Sequence, residues 1–458
     1  MKKTRGVKAF ESELYETGKI LLSRLREAGH RAFFVGGCAR DMTLGLPPKE
    51  YDITTSATPD EVAKLFEHTI PVGASFGVML VIVGGMRFEV ATFRRDESYS
   101  DGRHPDAVSY SASEEEDVLR RDFTINGMLY DPFTEEVIDY TDGLEDIKRR
   151  VVRTIGSPEA RFTEDKLRLV RAVRFASRYG FEIENETFQA MKALAGGITR
   201  VSEERIRDEL VKIVSQQNPG AGLMLLSESG LLEYILPEAE AMRGVEQPPE
   251  FHPEGDVFVH TCMVLDKIYE HADGEVSTTL AMAGLLHDIA KPPTFTETDR
   301  IRFNGHDKLG AEMSRDICRR LKFSNKEIDT ICDLIREHLK FKDVFHMKKS
   351  TLKKFVRLPD FEEHMALHKA DCLASHGMLD AYDFVMEKLE EFRLADEEIK
   401  PAPLITGKDL IRMGYKPGPM FKEILSLVEE AQLEGEIKDT GEAESLVTGK
   451  YPLADRVR

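Results

Sequence analysis

Over the first hundred positions the apolar residues fall in short runs broken by glycine pairs, and beyond residue 250 they recur mainly at helical spacing. Residues 31–35 read as a strand, Gly36-Gly37 as a turn, and the following segment as a short helix ending at Gly45. A second apolar run, residues 51–54, predicts another strand. Thr58-Pro59-Asp60-Glu61 has the form of a capping box with proline at the first helical position, so a helix starts there. Residues 78–84 and 87–93 are rich in β-formers around Gly84-Gly85 and predict a hairpin. The proline-rich stretch 247–255 reads as a linker, and residues 401–447 as short helices around 414–419. No internal repeat or low-complexity tract interrupts the pattern.

Chemistry enters at the first turn. A glycine pair between a strand and a helix lets backbone N–H groups approach a phosphate, and Glu50 and Asp52, two apart on a strand, share one face. With Arg40-Asp41 between them, these residues describe a place for a nucleoside triphosphate and its magnesium. Glu89 lies between apolar neighbours in the second hairpin strand; it is either a third metal-facing carboxylate or an acid on a solvated face.

Residues 34–60 resemble the nucleotidyltransferase motif of the class II tRNA nucleotidyltransferases, the family of CCA-adding enzymes and bacterial poly(A) polymerases within the DNA polymerase β superfamily. That family usually carries Asp-x-Asp, and here the first acid is Glu50. Its extra methylene moves the ligand oxygens, and Mg²⁺ keeps close to an octahedron at about 2.1 Å, so the backbone or a water must absorb the shift. Further segments follow in the family's order: residues 94–105, the run Arg120-Arg121-Asp122-Phe123-Thr124-Ile125-Asn126, the run Glu164-Asp165-Lys166-Leu167-Arg168, and residues 204–209. Gly127 stands where the family usually has alanine.

The resemblance implies Glu50, Asp52 and Glu89 as catalytic acids. It implies Gly36, Gly37, Arg40, Asp41, Arg120, Arg121, Asp122, Asn126, Asp165 and Arg168 as nucleotide-binding residues. Guanidinium forks suit phosphate oxygens, so Arg40, Arg120 and Arg121 are candidates for holding the triphosphate or the primer end. Asp165 and Arg168, three apart on a helix, set an acceptor beside a donor. Cytosine and adenine both offer an amine beside an unprotonated ring nitrogen. Uracil and guanine offer a carbonyl beside an N–H, which would leave buried groups unpaired at about 1–3 kcal/mol each.

Composition adds two constraints. The 458 residues exceed what one core accommodates, and no apolar stretch approaches twenty residues, so a multidomain cytoplasmic protein without a membrane segment or signal is expected. Five cysteines without a CxxC pair argue against a disulfide framework or a cysteine zinc site. The net charge of −19 is wrong for a protein that coats nucleic acid, yet residues 148–212 carry 15 Lys and Arg against 10 Asp and Glu. That local basic strip favours a selected, compact RNA over sequence-blind coating.

Histidine divides the chain a second time: only His30, His68 and His104 of the 13 precede residue 250. His260, His287-Asp288, His306, His338 and Asp371 form a series that resembles the HD superfamily of metal-dependent phosphohydrolases. There, the first His, the adjacent His-Asp and the distant Asp hold one metal, and His306 and His338 stand where two-metal versions have further ligands. Imidazole with carboxylate suits Ni²⁺, Mn²⁺, Fe or Zn²⁺. His252, His364, His368 and His376 are expected to be surface or packing residues.

The expected architecture is an α/β head with a polymerase β-like sheet (residues 1–145), followed by all-α neck and body (146–245), an HD domain (246–395) and a helical tail (396–458). The tail is either a docking hairpin or a contact to tRNA. The implied function is addition of C and A to tRNA 3′ ends from CTP and ATP with Mg²⁺, beside a phosphohydrolase activity, with no protein partner evident. Poly(A) polymerases and enzymes adding only CC or only A share the head motifs. Residues 70–78 look more like the CCA enzymes than the poly(A) polymerases. From a different class, the chain could be an HD hydrolase whose head, weakened by Glu50, only binds RNA.

Overall fold

A computed structural model describes all residues except 6, 8–9, 74–76, 97–107, 112, 251, 395–398 and 454–458. The segments resembling family motifs at 94–105 and 70–78 therefore lie partly outside the described residues. Two compact units are resolved, Met1–Arg243 with Arg319–Phe323, and Gly244–Cys318 with Ser324–Arg458.

The first unit begins with a mixed sheet. Its strands are β1 (Lys2–Arg5), β2 (Ala32–Val35), β3 (Ile53–Thr55), β4 (Thr69–Gly73), β5 (Val78–Val83), β6 (Met86–Thr92), β9 (Met128–Asp131) and β10 (Glu136–Asp139). A separate pair, β7 (Arg94–Asp96) and β8 (Val108–Tyr110), lies between them in sequence. The sheet order is β1-β10-β9-β2-β3-β6-β5-β4, with β3 and β6 parallel. Alternation sorts the two faces. Phe34 and Phe88 meet α1 (Glu13–Glu27), where a Cβ on Gly18 would come within 2.9 Å of the Phe34 ring and 3.1 Å of Phe88. Phe33, Val35, Phe93, Leu129 and Ile138 pack on the other side with Val118 of α4 (Glu114–Leu119).

Gly36 leaves β2 at φ 71° and caps α2 (Gly37–Thr43). The helix ends two residues earlier than expected, before the Gly45 turn. The second strand also differs: it starts at Ile53, so Glu50, Tyr51 and Asp52 precede it. β2 has turned into α2 by then, and the Asp52 carbonyl makes the last link to it, accepting the Val35 N–H at 3.0 Å. The capping box forms as read, with Thr58 ahead of α3 (Pro59–Leu65), and the β5–β6 hairpin turns on Gly84 and Gly85, both at positive φ.

Helices continue through α5 (Gly143–Arg149), α6 (Pro158–Glu164), α7 (Leu167–Tyr179), α8 (Asn185–Leu194), α9 (Glu203–Ser215), α10 (Pro219–Glu228), α11 (Leu232–Ile235) and α12 (Pro237–Glu240). The unbroken helix expected across residues 164–168 is in fact two. Lys166 Nζ donates to the carbonyls of Phe162 and Thr163, each at 3.1 Å, and so closes the end of α6. Asp165 is left extended, and its Oδ1 accepts the Leu167 N–H at 3.0 Å to start α7.

The second unit is mainly helical: α13 (Val257–Glu270), α14 (Thr278–Leu286), α15 (Lys291–Thr294), α16 (His306–Arg320), α17 (Asn325–Glu337), α18 (Lys349–Val356), α19 (Phe361–Ala374) and α20 (Asp380–Leu394). One short hairpin, Phe295–Glu297 with Ile301–Phe303, precedes α16. Three more helices, α21 (Gly407–Arg412), α22 (Pro419–Glu434) and α23 (Thr440–Lys450), close on their own core of Leu410, Ile424, Val428 and Val447.

Gly18→Ala sets two effects against each other. Alanine gains about 1 kcal/mol in helix propensity, while crowding the buried Phe34 ring costs about 1–3 kcal/mol. The expected outcome is a lower urea midpoint, measured by circular dichroism; an unchanged or higher midpoint would show that α1 does not seat on Phe34.

Candidate functional site

The register of the head sheet assembles the first site. Ile53 pairs with Val90 and Thr54 with Ala91, so one residue back Asp52 falls beside Glu89. Phe34 pairs with Ile53, which brings Gly36 and the start of α2 to the same end of the sheet. Arg121 completes this end, its Nη1 3.2 Å from where a Gly36 Cβ would stand.

Electrostatics ties the acids together. Burial, then the charges of Glu50 and Glu89, push the Asp52 carboxyl up to about 7 against the opposing pull of Arg121. Three mutually repelling carboxylates beside a glycine turn fit a divalent cation, which would relieve that repulsion. Their oxygens are not among the groups that converge within 4.8 Å among the described residues, and Glu50 and Glu89 are exposed.

The arginines are sorted by buried acids. Asp117, which sequence reasoning missed, is fully buried; it accepts from Arg120 Nε (3.0 Å), Arg121 Nη2 (3.2 Å) and the Thr54 hydroxyl (3.0 Å). Asp122 accepts from Asn126 Nδ2 (3.0 Å) and from Arg171 through Nε (2.9 Å) and Nη2 (2.7 Å). Arg120, Arg121, Asp122, Asp165 and Arg168 line one cavity of about 240 Å³ with Arg171 and Arg205, two further cations without an expected role.

Two expectations change here. Arg40 does not face an open phosphate position: it is 5% exposed, its Nε is bonded to Asp41 and its Nη1 to Asn126 at 2.5 Å, and its guanidinium lies over Tyr179. Tyr179 in turn donates to Asp41 at 2.9 Å, so Arg40, Asp41 and Asn126 lock α2 to α7. Asp165 and Arg168 are not a free pair on one helical face. The helix break separates them, Asp165 Oδ2 holds Arg205 at 2.9 Å, and Arg168 binds Glu164 at 2.7 Å and the Arg120 carbonyl at 3.2 Å.

The second site is built on histidine tautomers. Nδ1 of His287, His306 and His338 lies 2.9, 2.7 and 2.5 Å from the carbonyls of Gly284, Phe303 and Ile335. A carbonyl only accepts, so each Nδ1 carries the proton and each Nε2 keeps its lone pair. Among the described residues three groups of ligand atoms converge within 4.8 Å: His260 with His287 and Asp371, Asp288 with His306 and His338, and His252 with Glu254 and His260. Asp288 joins the first two, Oδ2 3.1 Å from His287 Nε2 and Oδ1 3.5 Å from His306 Nε2. The Nε2 atoms of His260 and His287 are buried, and neither makes a well-directed hydrogen bond. Inward lone pairs, a bridging carboxylate and orphaned ring nitrogens fit a two-cation centre.

Burial alone would raise the Asp288 carboxyl, but the Lys291 ammonium beside it holds it well below the usual range. Lys291, missed in the sequence, reaches Asp288 at 2.7 Å and Gln247 at 2.6 Å. An adjoining cavity of about 590 Å³ is lined by Lys291, Arg300, Arg302 and Lys342 as well as His306, His338 and Asp371. Of the four histidines set aside, His364 is buried, His368 stacks on Phe341 at 4.0 Å and His376 is exposed. His252, partly buried, lines this cavity.

A CCA-adding enzyme of Ligilactobacillus salivarius is 31% identical over 418 residues, 91% of this chain and 92% of that protein. The chain belongs to the CCA-adding enzyme family. A Staphylococcus aureus CCA-adding enzyme is 30% identical over 442 residues, covering 94% of this chain and 96% of that one. The Poly A polymerase head domain matches residues 32–153, the probable RNA and SrmB-binding site of polymerase A residues 180–242, and the HD domain residues 257–374. The crystal structure of the Bacillus stearothermophilus CCA-adding enzyme in complex with CTP aligns at TM-score 0.73 and 28% identity, over 96% of this chain and 98% of that chain. The Thermotoga maritima CCA-adding enzyme complexed with tRNA shares the fold at TM-score 0.61 and 20% identity, over 97% of each chain. In this family the α/β head and the helical remainder expected from the sequence are the fold observed, and both its nucleotidyltransferase and HD domains are of metal-dependent kinds. Among the described residues no helix is long and apolar enough to cross a membrane.

The Asp52 shift has a definite sign. Its carboxyl titrates near 7 in the fold against about 3.9 in an unfolded chain, so the charged form is the one the fold disfavours. In chelator-treated protein, stability should fall as pH rises from about 4 through 7, and Asp52→Asn should gain on wild type over that window. Equal urea midpoint differences between the two proteins at pH 4 and pH 8 would contradict this.

Proposed function

We propose that the chain adds C and A to the 3′ ends of tRNA from CTP and ATP, and that its HD domain hydrolyses phosphoesters. The observation that carries the first part is the register bringing Asp52 beside Glu89 next to Gly36 and Arg121, in a chain 31% identical to a CCA-adding enzyme over 91% of its length. Residues 1–145 act as the nucleotidyltransferase head, 146–245 as neck and body that select the nucleotide and grip RNA, 246–395 as the HD domain and 396–458 as the tail. The five cysteines, none of them in a disulfide, suit a cytoplasmic location.

Asp52, Glu50 and Glu89 would hold Mg²⁺, which when bound supplies activation of the primer hydroxyl and charge neutralisation at the departing pyrophosphate. Gly36, Gly37, Arg120 and Arg121 flank the phosphates. Asp117 orients both arginines, so their forks meet the triphosphate without rearrangement. Asp165 and Arg168 read the base edge, with Arg205 holding Asp165 in place. For Asp165 to accept from an exocyclic amine, one carboxylate oxygen must exchange a protein partner for the base or share itself between the two; a carboxylate has lone pairs for both.

Nucleotide incorporation with Mg²⁺ on tRNA transcripts ending at the discriminator base, after one C and after CC should reach CCA and stop. A alone on the CC transcript, CC without A, or an open-ended A tail would indicate a partial enzyme or a poly(A) polymerase instead. No incorporation in wild type, with appearance of activity in Glu50→Asp, would favour the hydrolase with an RNA-binding head. Asp165→Ala should lose discrimination against UTP and GTP by about tenfold or more, as expected for a lost contact of about 1–3 kcal/mol.

The hydrolase reading is supported by the three inward-facing imidazole lone pairs around Asp288. His260, His287, Asp288, His306, His338 and Asp371 would hold Ni²⁺, Mn²⁺, Fe or Zn²⁺, supplying a water activated for attack on phosphorus. Lys291, Arg300 and Arg302 are cations of the cavity wall that an anionic phosphoester could meet, beside Glu250, Asp288, Asp307 and Asp371 on the same wall. His287→Ala with Asp288→Ala should abolish hydrolysis of a 2′,3′-cyclic nucleotide and spare incorporation; wild-type hydrolysis by the double variant would refute the assignment.

A further inference from the structure

Glu254 stands in the proline-rich stretch ahead of α13 and converges with His252 and His260, outside the two groups that hold His287 and Asp288. Its side chain is nonetheless 4% exposed. One oxygen, Oε1, lies 2.7 Å from Nδ1 of His260 and 2.9 Å from Nδ1 of His252. The two rings meet edge to face, their centroids 4.9 Å apart. The second oxygen, Oε2, is buried with no hydrogen-bond partner.

A carboxylate buried so deeply is costly unless its charge is used. Both Nδ1 atoms donate to the same oxygen, which fixes both rings and leaves Nε2 of each for other work. For His260 that atom faces Asp371 at 3.0 Å inside the ligand group. For His252 it is the ring nitrogen without a partner among the described residues, on a side chain that lines the cavity with Lys291 and Asp288. Asp256 caps α13, its Oδ1 accepting the Val259 N–H at 2.8 Å, and so fixes the start of the helix and with it the approach of His260 to Glu254.

We propose that Glu254 is a positioning residue shared by two histidines: it orients His260 toward the metal and holds His252 against the phosphoester substrate in the cavity. The inference rests on the hydrolase reading of the HD site and adds to it a carboxylate behind the metal ligands and a substrate-contacting residue.

The test uses the full-length protein with excess Mg²⁺ to fill the head site, Ni²⁺ as the probe metal and bis(p-nitrophenyl) phosphate as the substrate. Glu254→Ala should weaken Ni²⁺ binding by about 10–100-fold in calorimetry, as removal of an outer partner of a ligating histidine does. Glu254→Gln keeps an oxygen acceptor and should recover most of that loss. His252→Ala should leave the Ni²⁺ affinity within about twofold of wild type and lower kcat/KM by about tenfold or more, an effect corresponding to one lost substrate contact. Unchanged Ni²⁺ affinity in a folded Glu254→Ala protein, or unchanged kcat/KM in His252→Ala, overturns the inference alone. If Glu254→Ala does not fold, the His252→Ala kinetics decide. Wild-type protein that binds no Ni²⁺, or binds it and hydrolyses nothing, overturns the hydrolase reading, and the inference with it.

Discussion

A buried charge must be paired, and this requirement organises the polymerising half of the molecule. Asp117 and Asp122 carry charge inside the head, where an unpaired carboxylate would cost several kcal/mol. Each answers with arginines: Arg120 and Arg121, three and four residues on, for Asp117, and Arg171 of α7 for Asp122. The pairing fixes guanidinium groups around the Arg120–Arg205 cavity, so a positive surface is prepared in advance of any ligand. It also explains how a chain of net charge −19 gathers arginines around one cavity.

The same requirement is met differently in the second unit. There Lys291 pairs with the buried Asp288, and the histidines around it have their Nδ1 protons already committed to main-chain carbonyls. A lone pair, unlike a guanidinium, offers a coordination site. The chain therefore surrounds its buried carboxylates in two ways: with arginine, which supplies the positive charge itself, and with histidine, whose lone pairs would leave that charge to a bound cation.

What was legible in the sequence was what local rules determine. Gly36 at the strand-to-helix turn, the Thr58 capping box and the Gly84-Gly85 hairpin each depend on neighbours within a few positions. The adjacent His287-Asp288 and its distant partners were legible through their resemblance to a family series. Arg171 and Arg205 were not given roles, because their partners lie 49 and 40 residues away and any charged helix would carry such residues. The break at Asp165 was hidden for another reason: it is made by the Lys166 side chain capping α6, without proline or glycine to mark it. Glu254 was obscured by the prolines around it, which read as a linker.

Glu50 departs from the Asp-x-Asp pattern that the resemblance leads one to expect, and the fold gives a reason the change is tolerable. Had Glu50 stood in the strand ladder, its longer side chain would have carried its oxygens past Asp52 with no freedom to return. It lies instead ahead of β3, exposed, after the chain has left the pairing with β2. Asp52 is tied there, through its carbonyl to Val35. A residue outside the ladder can draw back by the length of one methylene without breaking sheet hydrogen bonds, so as ligands Asp52 would be the rigid one and Glu50 the adjustable one. Mg²⁺ demands near-ideal octahedral geometry, and one adjustable carboxylate beside one fixed carboxylate would meet that demand.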